Sequence, residues 1–190
     1  FASAQIAALT VNEVVSLTTD QVKALRGGQV AALTTSQIIA VESSDLNSLG
    51  SSQVQSLTSA QIRALSTEQI SDLNPSFVSA LATVQAATLS TEQVATLSTD
   101  QVKALNPAQA GALTTRQLLT LSSDQILAIE TSDLRGFAPG QVASLRSDQV
   151  RALSSEQYAA LASQQVQGLT TSQTAAMEIA DLRALSSSQL

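Results

Sequence analysis

A Gln recurs every eight residues from Gln5 to Gln189 and fills 19 of 24 such positions, with no insertion or deletion anywhere. The other five hold Glu13, Asp45, Phe77, Asp133 and Asp181. Four residues after each of these places comes Leu, in 19 of 23 cases, and the substitutes Val41, Ile129, Phe137 and Met177 are all apolar. The consensus is Gln-(Val/Ile)-x-Ala-Leu-(Thr/Ser)-(Thr/Ser)-x, as in Gln61-Ile62-Arg63-Ala64-Leu65-Ser66-Thr67-Glu68. A repeat of one fixed length constrains the fold more than any composition does, because every unit must meet its neighbours in the same way.

The octad contains its own helix signals. Ser66 is placed as an N-cap, and Gln69, three residues on, completes a capping box. Pro75, Pro107 and Pro139 each fall one residue after the cap, at N1, where a missing N–H does no harm. Asn74 and Asn106 precede two of them and are good caps. Acids at N2 (Asp20, Glu68, Glu92, Asp100, Asp124, Asp148, Glu156) suit the positive end of a helix dipole. The pattern therefore predicts an all-α solenoid of very short capped helices, one per octad, each of about seven residues. The period argues against one continuous helix, since eight residues at about 100° each make the apolar stripe drift around the axis. The alternative is a β-solenoid, with Gln-Val-x-Ala-Leu as strand and Thr-Thr as corner. Against it, only 7 Gly are present and Ala and Leu, both expected inside, would point to opposite faces.

Within the helical frame, Ile62 and Leu65 share one face. The Ala64 position stays small in most octads, reaching Gly at Gly136 and Gly168, with Asp72 and Thr88 as larger exceptions. This predicts close packing of that slot against an adjacent short helix. A helix this short has no stability of its own in water, so the chain is expected to fold as one continuous array over 1–190. Residues 74–87, with Phe77 in the Gln slot and departures at Val84 and Ala86, are the expected irregularity. Phe137 sits in a slot that is apolar everywhere and reads as core, and lone Tyr158, in a Val position, reads as packed.

Composition removes most chemistry. There is no Cys and no His, and Lys plus Arg total 9 against 15 acids, a net charge of -6. Disulfides, thiolate or imidazole metal sites and histidine-based catalysis are thereby excluded. So few cations argue against nucleic acid, and no apolar run reaches the roughly 18 residues a membrane-spanning helix needs. Gly27-Gly28 is isolated and forms no phosphate-binding loop. No enzyme activity and no cofactor are expected.

Two sets of residues stand out as candidate sites. Three octads depart together from the consensus and place Glu42 with Asp45, Glu130 with Asp133, and Glu178 with Asp181. A Glu and an Asp three apart offer two oxygens to a hard cation such as calcium, short of the six to eight it takes. The bland reading is a structural variant, with Asp at N3 accepting backbone N–H groups as Gln would. The outward position after Val or Ile is mostly polar, yet holds Ile39, Leu119 and Leu127, which are the candidate contact residues of a binding face.

The units Leu17–Ala24 (Leu-Thr-Thr-Asp-Gln-Val-Lys-Ala) and Leu89–Thr96 (Leu-Ser-Thr-Glu-Gln-Val-Ala-Thr) resemble octapeptide arrays in very large, repetitive bacterial exported or cell-surface proteins, often named as adhesins or haem-utilisation proteins. The likeness is periodic and compositional and covers essentially the whole chain. It implies a stalk or spacer segment of an extracellular protein, elongated and projecting something else from a surface. Haem receives no support, because Met177 and Tyr158 are the nearest things to axial ligands. The start at Phe1 without Met and the stop just after Gln189 are those expected of a segment of a longer array. Partners are then the neighbouring repeats, with end-to-end self-association through exposed apolar ends, or a protein or glycan recognised along the side.

Overall fold

A computed structural model describes residues 1–190. Twenty-three helices, from α1 (Ser3–Ala7) to α23 (Ile179–Ala184), follow one another at one per octad, and no residue is in a strand. The fold is an all-α solenoid, and the β-solenoid is set aside.

The octads share one frame, and those with Ser, Thr or Asn at the N-cap complete it with a side-chain cap, which octads with Ala, Gly, Arg or Glu there lack. At Thr58 the backbone is extended (φ -73°, ψ 156°) and the hydroxyl accepts the Gln61 N–H at 3.2 Å, while Gln61 Oε1 accepts the Thr58 N–H at 2.7 Å. The helix α8 (Ser59–Ala64) follows, and Leu65 turns extended again (φ -56°, ψ 135°). Two extended residues thus form each corner, with no positive φ and no cis peptide anywhere, which is why so few Gly suffice. The helices run four to six residues, shorter than the seven or so that the capping pattern predicts, because the apolar residue closing the octad leaves the helix to turn the corner. The three prolines all occupy N1, in α10 (Pro75–Ala80), α14 (Pro107–Ala112) and α18 (Pro139–Ser144).

The chain forms two compact units, Phe1–Thr96 and Leu97–Leu190. In each, a helix packs against those three repeats before and after it: α5 (Thr35–Ala40) on α8 in the first unit, α14 on α17 (Thr131–Leu134) in the second. Gln side chains reach one repeat further, to carbonyls 28 to 31 residues back, so one superhelical turn holds between three and four octads. The Val/Ile row (Val54, Ile62, Ile70; Leu118, Ile126, Val150) and the Leu row (Leu57, Leu65; Leu121, Leu145, Leu153) line the interior. Full burial of each such side chain contributes about 1.5–3 kcal/mol. No one helix could hold itself together, and these rows supply the cohesion.

Residues 74–87 keep the same frame. Asn74 caps α10 through the Phe77 N–H at 2.8 Å, Phe77 is buried where a Gln stands elsewhere, and α11 (Thr83–Thr88) follows on schedule. Phe137 and Tyr158 are buried as expected. The small slot does mark close backbone approach, but toward a helix three repeats away rather than the next along the chain. A Cβ on Gly136 would collide with the Pro107 carbonyl, and one on Gly111 with that of Gly136. Around Pro107 and Gly136 the two backbones touch directly.

Candidate functional site

The most repeated chemistry in the molecule is a buried amide. Gln61 is 2 % exposed; its Oε1 takes the Thr58 N–H, and its Nε2 donates to the carbonyls of Val30 at 2.9 Å and Leu33 at 2.6 Å. The same three-way connection recurs at Gln37, Gln69, Gln85 and Gln93 in the first unit and at Gln149, Gln157, Gln165 and Gln173 in the second. One side chain therefore caps its own helix and satisfies the last carbonyls of a helix one turn earlier, which buried backbone groups require. Sequence reasoning assigned Gln only the first role. The signal for the second was present: Glu would complete a capping box equally well, yet the position is Gln 19 times and Glu only at Glu13. Glu13 is exposed, accepts from the Thr10 N–H and hydroxyl, and is held below the usual carboxylate range by those bonds.

The three Glu/Asp pairs are split by the fold. Glu42, Glu130 and Glu178 occupy N-cap positions and point into solvent. Their Asp partners sit at N3, facing inward: Asp133 and Asp181 are buried and Asp45 is half-buried. Thr19 donates its hydroxyl to Asp45 at 2.6 Å and Ser155 to Asp181 at 2.8 Å; Asp181 also accepts the Glu178 N–H at 3.0 Å. No three acids come together to hold a metal. The two members of each pair thus stand in different surroundings, and Asp45 and Asp181 are bound by the coil before them. Asp133 is the exception, since Ser132 reaches only one of its oxygens, at 3.2 Å.

Near Asp181 the loss of an amide is compensated from another direction. The Tyr158 hydroxyl, fully buried, donates at 2.7 Å to the Val150 carbonyl, 31 residues before Asp181 and so the place a Gln there would reach. Burial, and then the neighbouring Asp181, push the phenol well above its ordinary range.

Ile39, Leu119 and Leu127 are exposed by 50 %, 37 % and 53 %. Leu127 lies at an open groove of about 500 Å³ in the second unit, bordered by Lys103, Asp100, Glu130 and Glu156. Leu119 is not part of it; its carbonyl is covered by the Arg146 guanidinium, which also pairs with Asp148 at 3.0 Å. That guanidinium holds the Asp148 carboxyl below its usual range. Ile39 belongs to the first unit. The groove brings one candidate contact residue, Leu127, beside three carboxylates and one lysine. No helix is long and apolar enough to cross a membrane.

No curated protein matches the chain. A family model described as the ALTTAQ repeat matches it three times, over residues 1–35, 38–75 and 126–163, more than half of its length. The six-residue motif stands, but for its fifth position, in Ala32-Leu33-Thr34-Thr35-Ser36-Gln37 and again in Ala112-Leu113-Thr114-Thr115-Arg116-Gln117. Its elements are the residues described above: small slot, interior Leu, N-cap, N1, N2 and bridging Gln. By the repeated match and by the frame its residues keep, this chain belongs to the ALTTAQ repeat family.

Proposed function

We propose that the chain is a structural spacer or scaffold segment of a larger bacterial surface or secreted protein of adhesin-like kind. The supporting observation is the Gln connection. It uses only the cap, the Gln and backbone carbonyls, so each octad can be added to the last whatever its outward residues are. An interface that is indifferent to the outer surface is what a spacer of adjustable length needs. The extracellular or cell-surface setting rests on the resemblance to large exported repeat proteins. Small-angle scattering on arrays of half, equal and double length tests the spacer reading. A maximum dimension rising in proportion to the number of octads supports it; one rising only as a compact globule does contradicts it.

Exposed Leu127 beside the groove favours a second reading, a module that binds a protein or glycan along its side. Replacing Leu127, Leu119 and Ile39 with Ser separates the two: a spacer keeps its dimensions and the protein's surface attachment, whereas a binding module loses attachment with its fold unchanged.

A further inference from the structure

The three Asp octads pose one physical problem. Where Gln supplies an N–H pair to the carbonyls of the previous coil, Asp supplies a carboxylate, which has no proton to give. Asp45 and Asp181 answer it with a hydroxyl from 26 residues earlier, at the first helical position: Thr19 and Ser155. Twenty-six residues before Asp133 stands Pro107, which has neither hydroxyl nor N–H. Asp133 is 2 % exposed and its Oδ2 has no partner. It lines a small apolar space with Val102, Leu105 and Phe137. Nor can the helix shift aside to bring in another donor, because Gly136 already abuts the Pro107 carbonyl.

An unpaired carboxylate in an apolar lining is costly, and a neutral acid far less so. We propose that Asp133 is a proton-binding site: α17 packs on α14 with this carboxyl protonated, and release of the proton to solvent weakens the packing of the second unit. The surroundings agree. Burial, then Glu130 at the N-cap of the same helix, raise the carboxyl above its ordinary range, against the lowering effect of Ser132. Among the packed elements, α14 carries no titratable group and α20 (Ser155–Ala160) carries Glu156 and Tyr158. The cations Arg135, on α17's own C-cap, and Lys103, one coil back, are both exposed. The sign follows from linkage. With the folded value above an unfolded value of about 3.9, the stability is full below that pH and is lost as pH rises through the folded value.

Thermal unfolding of the 190-residue chain from pH 4.5 to 8, followed at 222 nm, tests this with Asp133→Asn and Pro107→Ser. Asp133→Asn cannot ionise, so the parent should melt progressively lower relative to it as pH rises, by about 2–4 °C across the range. Pro107→Ser restores the hydroxyl that Asp45 and Asp181 have, and should remove most of that pH-dependent loss. Parent and Asp133→Asn curves that run parallel at every pH would overturn the proposal. Should Asp133→Asn fail to fold, a carbon-13 titration of the Asp133 carboxyl in the parent decides instead: a midpoint above the ordinary Asp range supports the proposal, and an ordinary one overturns it.

Discussion

Replacing Gln61 with Met keeps the length and removes every polar atom of the side chain. Three hydrogen bonds disappear, from the Thr58 N–H and to the Val30 and Leu33 carbonyls, at 2.7, 2.9 and 2.6 Å. Val30 retains the Leu33 N–H as a donor, whereas the buried Leu33 carbonyl depends on the amide. At about 1 kcal/mol net per bond, the loss is about 3 kcal/mol, with the orphaned carbonyl pushing it higher. Gln21 provides the internal control. It is exposed and makes only the capping half of the interaction, accepting the Thr18 N–H at 2.8 Å. Gln21→Met should therefore cost about 1 kcal/mol. Urea unfolding measures both; with a slope of about 1–3 kcal/mol/M, the midpoints of the two variants should differ by roughly 1 M. Equal midpoints would refute the reasoning, because they would reduce Gln to its local capping role.

Three further outcomes follow from the packing and the charges. Gly136→Ala should destabilise by about 1–3 kcal/mol through overpacking on a backbone carbonyl, whereas Gly140→Ala, which meets nothing within 4 Å, should be neutral or stabilising; differential calorimetry separates them. Tyr158→Phe should cost about 0.5–1.5 kcal/mol in a urea melt by removing one buried hydrogen bond, the Val150 carbonyl keeping the Leu153 N–H as its other donor. Glu13, Glu92 and Asp148 have lowered carboxyl values, so their stabilisation is present above the ordinary carboxylate range and is lost as pH falls through their folded values; replacing all three with amides should flatten the melting curve on the acid side only.

The local half of this fold was legible because its signals lie within four residues of one another. Cap, proline and capping box are i to i+3 relations, and Ser66, Pro75 and Gln69 stand where the sequence placed them. The helices came out shorter because Leu65 has the composition of a helical core residue but an extended backbone, which only the corner demands. What a strict period of eight cannot express is which octad lies opposite which. The bridging role of Gln61, the neighbour met by the small slot at Gly136 and the hydroxyls facing Asp45 and Asp181 all depend on partners 25 to 31 residues away. Glu130 and Asp133 looked like a pair because they are close in sequence. One is at the N-cap, where the backbone is extended and the side chain exposed, and the other is at N3, where the side chain is buried.

The winding itself can be measured with introduced thiols, since the chain has no cysteine of its own. Ser59 in α8 and Thr88 in α11 bring their hydroxyl oxygens to 3.3 Å, within the reach of a disulfide once both are replaced by cysteine. Ala80 and Thr96 occupy the same slot as Thr88 one octad before and one after. Combining Ser59→Cys in turn with Ala80→Cys, Thr88→Cys or Thr96→Cys asks directly which coil lies on which. Rapid intramolecular oxidation of the 59/88 pair, with the other two staying reduced, is the predicted result; preferential closure of 59/80 or 59/96 would contradict the stacking of helices three repeats apart.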